Sequence, residues 1–361
     1  MFYYLANLRD VFFGFNIFKY ITFRAGMAAV TTFLLCIIFG PILIKKFKTF
    51  NIREKTTRDD CPQLSHLHSP KTGTPTMGGI FIIGSILISV LLWADLNNRF
   101  VLLTLFTCIW LAIIGGIDDY VKLTKKGHRG LYARVKFIWQ LVLGCLVGLF
   151  IYSNPATSTK LDVPFLKNLV IDLGVFYIPF VVLIIVGTSN AVNLTDGLDG
   201  LAIGCVLIVT LALSILSYVT GHLKFSEYLF IPFIPGAGEL TVFCAAILGA
   251  SLGFLWFNCY PASIFMGDVG SLALGGSLGV IAVLIKKELL LGLLGGIFVI
   301  EALSVILQVM SVKTRGKRIL KVSPLHHHLQ LSGWDESKII IRFWIIATIL
   351  AILTLTTLKI R

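Results

Sequence analysis

Residues Ala25 to Ile44 read AGMAAVTTFLLCIIFGPILI, twenty residues without a charged side chain. An α-helix of about 20 apolar residues crosses the roughly 30 Å hydrocarbon core of a bilayer. Stretches of this kind recur along the whole chain, separated by polar gaps. They do not alternate between polar and apolar positions as the strands of a membrane β-barrel do. The sequence therefore predicts an all-α, polytopic integral membrane protein.

Ten membrane spans are expected, and we treat residues 1–361 as one transmembrane domain. The composition agrees, since 57% of the residues are hydrophobic and 14% are charged, against about 25% charged in soluble domains. Met1 to Phe23 mixes aromatic and charged residues, which predicts an interfacial helix before the first span. The predicted spans are Ala25–Ile44, Gly78–Ala94, Phe100–Ile117, Phe137–Tyr152, Val175–Val192, Leu201–Val219, Leu240–Phe257, Val269–Ile285, Leu289–Met310 and Ile339–Leu358.

Basic residues predict the orientation of these spans. Nineteen Lys and Arg residues lie in one set of alternate gaps, at 45–76, 118–136 and 311–338, and six lie in the intervening gaps. Positive residues remain on the cytoplasmic side, so the basic gaps are expected inside and both termini outside. The net charge of +13 then concentrates on the inner face. Part of this positive charge is explained by the orientation of the spans alone. Binding to anionic lipid or to an anionic substrate accounts for the rest.

The acidic and histidine motifs also fall in these inner gaps. Asp118 and Asp119 follow the third span, whereas Asp268 precedes the eighth. Alternate gaps share one side of the membrane, so these residues are expected to converge. Carboxylates are costly at membrane depth and are therefore commonly functional there. Two adjacent carboxylates suit Mg²⁺, which leaves coordination positions for substrate phosphates. A hydrated helix end is the alternative explanation for the pair.

Two further gaps carry polar motifs with glycines. Ser69–Gly79 combines hydroxyls, glycines and Lys71, which suits phosphate contact, although a Thr/Pro/Gly turn is common before any helix. Asn193, Asp196 and Asp199 are spaced three apart, so they share one face if the segment is helical. A solvated loop has no need of that spacing. Phe265 is a candidate to stack on a nucleobase, or else a core aromatic.

The last inner gap combines basic residues with His326, His327 and His328. Three consecutive histidines point in different directions on any regular element, so they do not suit a single metal. No cysteine or carboxylate stands at zinc-ligand spacing beside them. Contact with a phosphate or a nucleotide is the more plausible role. A nucleotide-linked donor, a lipid acceptor and metal-assisted phosphoryl transfer fit these groups together.

The chain resembles the phospho-N-acetylmuramoyl-pentapeptide translocase family of bacterial cell-wall synthesis, within the polyprenyl-phosphate N-acetylhexosamine-1-phosphate transferases. The resemblance covers essentially the whole chain. Its matching motifs are Thr72–Gly79, Asp118–Tyr120, Asn190–Ala202, Trp256–Asn258, Phe265–Ser271 and Pro324–His328. The triple histidine and the Thr-Pro-Thr-Met-Gly-Gly run are similar to the muramoyl-pentapeptide branch in particular.

The resemblance implies a single catalytic domain in the bacterial inner membrane, with its active site at the cytoplasmic face. Undecaprenyl phosphate would attack the β-phosphate of UDP-N-acetylmuramoyl-pentapeptide, giving lipid I and UMP with Mg²⁺ as cofactor. It implies Asp118, Asp119 and Asp268 as the catalytic and metal-binding residues. A homodimer is also implied, and no nucleic-acid partner is expected. The implied substrate-binding residues are Lys71, Thr76, Lys122, Asn193, Asp196, Asp199, Asn258, Phe265, His326, His327 and His328.

Other functions remain as alternatives. A polyprenyl-phosphate N-acetylglucosamine-1-phosphate transferase differs only in its donor. The motif of a CDP-alcohol phosphotransferase has Ala-Arg where this chain has Ala202-Ile203. The motif of an intramembrane aspartyl protease has glycine where this chain has Phe265. A membrane transporter would need its acids at mid-membrane rather than in the gaps.

Two mechanisms are also open: direct attack by the lipid phosphate, or a covalent intermediate on an aspartate. A phosphate monoester has a second pKa near 6, so the acceptor is largely a dianion at neutral pH. Little proton is left to remove, which favours direct attack with Asp118 in a positioning role.

Overall fold

The computed structural model of the chain describes residues 1–50, 52, 71, 73–124, 130–154, 157–163 and 170–359. The α-helices in these ranges are α1 (Ile21–Thr49), α2 (Gly79–Trp93), α3 (Arg99–Thr124), α4 (Ala133–Ser153), α5 (Tyr177–Thr195), α6 (Leu201–Thr220), α7 (Leu223–Leu229), α8 (Leu240–Asn258), α9 (Gly267–Leu284), α10 (Glu288–Leu294), α11 (Gly296–Arg315), α12 (Leu325–Leu331) and α13 (Glu336–Thr356). Strands β1 (Lys160–Asp162) and β2 (Val170–Asp172) form an antiparallel hairpin. Short 3-10 helices span Phe2–Leu8, Phe13–Lys19, Gly174–Phe176, Ala237–Glu239 and Thr357–Lys359.

The ten predicted spans all coincide with helices, and the all-α polytopic fold is confirmed. Within the described ranges, nine helices are long and apolar enough to cross a membrane. The second span, α2, has 15 residues and is about 22 Å long at 1.5 Å per residue. The fourth predicted span looked short, but α4 extends it at both ends to 21 residues. The ninth is interrupted at Gly295, which separates α10 from α11.

The prediction of one interfacial helix before the first span was wrong in form. The segment instead makes two separate 3-10 helices, Phe2–Leu8 and Phe13–Lys19, before α1 begins at Ile21. Phe12, just before the second of these helices, and Phe13, its first residue, are 62% and 85% exposed. Isolated short helices gain little stability from helix propensity alone. The segment accordingly forms two short 3-10 helices rather than one continuous helix.

Helix α9 forms the centre of the molecule. It is buried along its whole length and packs against α3, α5, α2 and α6. Its sequence is rich in small residues, which let helix backbones approach closely in a membrane protein. The backbones of α3 and α9 are in close contact at Gly115 of α3, because a Cβ at that position would lie 2.3 Å from the carbonyl oxygen of Asp268. This contact brings the end of α3 against the start of α9.

The remaining helices pack around this centre. Helix α8 lies between α1 and α6, α13 packs on α6, and α4 and α11 pack on α5. Near the start of α1, Arg24 forms a bidentate ion pair with Glu239, with distances of 2.7 and 2.6 Å. The side chain of Arg24 is 1% exposed. This buried pair ties the starts of α1 and α8 together at the end of the bundle away from the acidic motifs.

Candidate active site

Three carboxylates meet where α3 ends and α9 begins. Asp118, Asp119 and Asp268 are all buried, and each offers an oxygen within 4.8 Å of the others. These helices run in opposite directions, so the end of one and the start of the other share one end of the bundle. The predicted convergence of the inner-gap acids is thus confirmed. Carboxylate oxygens are the ligands that Mg²⁺ prefers, so the cluster is a candidate metal centre.

Two lysines lie among the carboxylates. The Nζ atom of Lys122 lies 2.7 Å from Asp118 Oδ2, 3.4 Å from Asp119 Oδ1 and 3.0 Å from Asp268 Oδ1. Lys136, at the start of α4, approaches Asp118 Oδ2 at 2.9 Å and Asp268 Oδ2 at 2.5 Å. Among the described residues, three carboxylates therefore face two ammonium groups. These five described groups carry one net negative charge when all are ionised, which favours an additional cation.

Backbone groups fix the two neighbouring aspartates in different ways. Asp118 Oδ1 accepts the N–H of Leu131 at 2.7 Å, and Asp119 Oδ2 accepts the N–H of Val269 at 3.2 Å. Gly267 has a φ of +76°, and a Cβ there would lie 2.6 Å from Asp119 Oδ2. Glycine is therefore needed at this turn for both reasons, and it sets the position from which Asp268 enters the cluster.

Asn193 extends the cluster from a third helix. Its side-chain amide, near the end of α5, donates to Asp268 Oδ1 at 3.1 Å and to Ser271 Oγ at 2.8 Å. Its predicted partners on one helical face do not join it, because α5 ends at Thr195 and the chain then turns. Asp196 lies half-buried on that turn. The prediction of a shared helix face for Asn193, Asp196 and Asp199 was therefore wrong.

Asp199 belongs to a second charged cluster. Its Oδ1 lies 2.7 Å from Lys71 Nζ, and its Oδ2 accepts the N–H of Ala262 at 2.9 Å. Glu336, the first residue of α13, also pairs with Lys71 Nζ at 2.5 Å. No sequence motif includes Glu336. The only available signal was a carboxylate in a gap already rich in basic residues.

Asn258 lies beside this second cluster, and Phe265 follows it along the chain. Asn258 accepts the N–H of Gly200 at 3.0 Å and donates to the carbonyl of Ile264 at 2.8 Å, so its side chain joins two loops. Phe265 is half-buried, and its N–H donates to the Pro75 carbonyl at 2.8 Å. Thr76, the next residue along, is buried. Of the predicted phosphate-contact motif Ser69–Gly79, residues 69, 70 and 72 lie outside the described residues.

The three histidines lie on α12 and face different partners, as predicted. His326 is buried, with Nδ1 3.1 Å from Oε2 of the buried Glu301. Its ring also packs on the turn after α5, since a Cβ at Gly197 would lie 2.3 Å from His326 Nε2. His327 Nδ1 lies 3.0 Å from Gln330 Oε1, and His328 Nδ1 accepts the N–H of Lys321 at 3.2 Å.

The inner-gap residues thus form one polar region at one end of the bundle. Lys136 and Glu336 are the members that sequence reasoning missed. Lys136 is one of six basic residues in its gap, and no local pattern separates it from the other five. Its contacts with the carboxylates depend on α4, which places it beside α3 and α9.

The chain has the helices of a multi-pass membrane protein, and the family model of glycosyl transferase family 4 matches its residues 101–286. Relatives that match over nearly the full length define the family more narrowly. A phospho-N-acetylmuramoyl-pentapeptide-transferase from Thermodesulfovibrio yellowstonii is 52% identical over 360 residues, 99% of each chain. Enzymes of the same name from Citrifermentans bemidjiense and Pelobacter propionicus are 53% and 54% identical over 347 residues, 96% of each chain. The chain belongs to the phospho-N-acetylmuramoyl-pentapeptide-transferase family.

Proposed function

We propose that the protein transfers phospho-N-acetylmuramoyl-pentapeptide from its UDP-linked donor to undecaprenyl phosphate, giving lipid I and UMP. An oxygen of the lipid phosphate forms a bond to the β-phosphorus of the donor. The bond from that phosphorus to the bridging oxygen breaks, and UMP leaves with the electron pair. The observation that carries the proposal is the buried cluster of Asp118, Asp119 and Asp268 with two lysines, in a chain of this family.

The carboxylate cluster suits a divalent cation, and we assign it Mg²⁺. Asp118, Asp119 and Asp268 would hold the ion, because all three are oxygen donors gathered within 4.8 Å. Mg²⁺ with few protein carboxylates leaves positions for phosphate oxygens. When bound, the ion supplies neutralisation of the charge that develops during phosphoryl transfer.

The two lysines stabilise the phosphates directly. Lys122 and Lys136 are part-exposed, at 39% and 21%, whereas the aspartates between them are buried. Among the described residues, their ammonium groups are therefore the accessible cations of the cluster, and they would contact the donor and acceptor phosphates. Such preorganised charges act most strongly where water is excluded.

The contacts of Asp118 favour direct attack by the lipid phosphate over a covalent intermediate on this residue. One of its oxygens accepts the N–H of Leu131, and the other is shared by both lysines. A carboxylate held at both oxygens is suited to orienting neighbouring groups rather than attacking phosphorus. Retention of configuration at the β-phosphorus would contradict this mechanism, because a single displacement inverts it.

Asn193 beside the carboxylate cluster, the second charged cluster and the histidines on α12 would together bind the donor. We assign the uridine and pyrophosphate side to the region around Asn193 and Phe265, and the remainder of the donor to the histidines on α12. The other substrate-binding residues we assign are Lys71, Thr76, Asp196, Asp199 and Asn258.

The same proposal includes the setting of the enzyme. The chain is a single catalytic domain, 1–361, in the bacterial inner membrane, with this site on the cytoplasmic face and both termini outside. It acts as a homodimer, as the resemblance to the family implies. The supporting observations are nine apolar helices among the described residues and the excess of basic residues in the gaps at this end of the bundle.

Release of UMP by the purified protein in detergent tests the reaction. The assay supplies UDP-N-acetylmuramoyl-pentapeptide and undecaprenyl phosphate, with and without Mg²⁺, beside a UDP-N-acetylglucosamine control. We expect release that requires the metal, the lipid and the muramoyl donor, and that is lost in Asp268→Ala. Release with the acetylglucosamine donor alone would assign the protein to the sister transferases. No release from a folded preparation would contradict an enzymatic role.

A further inference from the structure

Glu336 contacts two groups of the second charged cluster at once. Its Oε1 lies 2.5 Å from the ammonium of Lys71 and accepts the backbone N–H of Asp199 at 3.0 Å. It is the first residue of α13, far in sequence from both partners. The last membrane helix is thereby joined to the turn after α5 and to the loop before α2.

Lys71 is held between two carboxylates. Asp199 Oδ1 accepts from its Nζ at 2.7 Å on one side, and Glu336 accepts on the other. Lysine is a flexible point charge with three donors, and the described contacts use two of them. The third donor of an ammonium fixed in this way has a defined direction. A ligand that accepts it does not have to immobilise the side chain on binding.

We propose that Glu336 is a positioning residue for the nucleoside-diphosphate donor, acting through Lys71 and the Asp199 peptide. The inference rests on the function proposed above and extends it to a residue outside the recognised motifs. Asp199 also binds the Ala262 N–H, and its neighbour Gly200 binds Asn258. The loops assigned to the donor are therefore held by one hydrogen-bonded chain that ends at Glu336.

The proposal places the effect of Glu336 on donor binding rather than on phosphoryl transfer. Its described contacts lie with Lys71 and Asp199, not with Asp118, Asp119 or Asp268, where the reacting phosphates would sit. Glu336→Gln keeps the size of the side chain and removes the charge that holds Lys71. The amide oxygen of the glutamine still accepts hydrogen bonds, but its contact with Lys71 no longer joins opposite charges. The contribution of a hydrogen bond to a charged group corresponds to a roughly ten- to hundred-fold change in affinity.

Steady-state kinetics on three proteins test the proposal. For Glu336→Gln we expect the KM for the UDP-linked donor to rise by roughly ten- to hundred-fold. The kcat and the KM for undecaprenyl phosphate should stay close to those of the wild type. Asp335→Asn is the matched control, because it removes the exposed carboxylate immediately before Glu336 and should leave all three constants unchanged. An unchanged donor KM in Glu336→Gln would overturn the proposal.

A double-mutant cycle with Lys71→Met separates positioning from a general structural role. If Glu336 acts through Lys71, then Glu336→Gln should change the donor KM little further once Lys71 is absent. Effects that multiply would show independent action and overturn the proposal. So would a fall in melting temperature with kcat and both KM values altered together. Failure of the proposed function is distinguishable, because the wild-type enzyme would then release no UMP from the donor.

Discussion

Lys136 contributes to the carboxylate cluster although nothing in its sequence neighbourhood distinguishes it. Its ammonium approaches Asp118 and Asp268, which come from two other helices. Arg134 lies two residues earlier on the same helix and is exposed. The two basic residues differ because a shift of two positions rotates a side chain about 200° around a helix of 3.6 residues per turn.

Removing Lys136 should abolish most turnover without unfolding the protein. In Lys136→Met, Lys122 still contacts all three carboxylates, so the cluster retains one cation. Loss of one preorganised charge at the reacting phosphates costs roughly 10²- to 10³-fold in kcat. UMP release at saturating substrates measures the effect, with Arg134→Met as the control. Equal activity of the two variants would contradict a role for Lys136 in catalysis.

Lys286 is a buried lysine at the opposite end of the bundle, between α9 and α10. It is 7% exposed, and its Nζ donates to the Tyr177 hydroxyl at 2.7 Å. Burial lowers the pKa of Lys286 to about 8, against the opposing effect of Glu288, whose carboxylate lies 3.8 Å away. The folded protein therefore disfavours the charged form of this amine.

This lowered pKa predicts a dependence of stability on pH. Between about pH 8 and the unfolded value of 10.5, the unfolded chain binds a proton at Lys286 that the folded protein does not. Stability from this group therefore rises with pH across that window and is constant below it. As the pH is raised from 7 to 10, the melting temperature of the wild type should rise relative to that of Lys286→Met. Lys224→Met, an exposed control, should follow the wild type, and parallel curves for all three proteins would contradict the prediction.

At the scale of the elements, the contact between α3 and α9 determines the active site. The Cβ of an alanine at Gly115 would lie 2.3 Å from the backbone oxygen of Asp268, whereas one at Gly116 would lie 3.7 Å from the nearest atom, Val269 Cγ2. The backbone of α9 cannot yield locally as a flexible side chain can. An added methyl at Gly115 must therefore push the two helices apart.

We expect Gly115→Ala to lower stability by about 1–3 kcal/mol, as overpacking of a buried contact does. Activity should fall more than stability, because the shift separates Asp268 from Asp118 and Asp119. Thermal unfolding in detergent and UMP release measure the two effects. Gly116→Ala tests the same helix with an ordinary contact and should match the wild type. A fully active Gly115→Ala protein would show that the helix contact does not control the site.

Sequence patterns predicted the helices well because a membrane span depends on local composition over about 20 residues. They also predicted that Asp118, Asp119 and Asp268 meet, because alternate gaps share one side. They failed where a single backbone turn decides the outcome. The end of α5 at Thr195 separates Asn193 from Asp199, and the break at Gly295 divides a continuous apolar run. Pairings between distant segments, such as Lys71 with Glu336, have no local signature.

At the scale of the whole molecule, the excess of basic residues and the candidate active site lie at the same end of the bundle. The exposed basic loop after α11 and the carboxylate cluster lie in gaps at one end of the bundle, and the N-terminal aromatic segment leads into α1 at the other. The positive-inside rule depends on Lys and Arg near the ends of spans. It therefore predicts that the end with the site faces the cytoplasm, where a nucleotide-linked donor is available.

Labelling with a membrane-impermeant maleimide tests this orientation. In a background in which all seven cysteines are replaced, Asp10→Cys places a thiol at an exposed position near the N-terminus, and Lys317→Cys places one in the exposed basic loop. In intact spheroplasts Asp10→Cys should react at once, whereas Lys317→Cys should react only after the membrane is permeabilised. The reverse pattern would place the carboxylate cluster outside. It would then contradict cytoplasmic catalysis even if the purified enzyme released UMP, because the cluster and Lys317 lie in gaps on the same side.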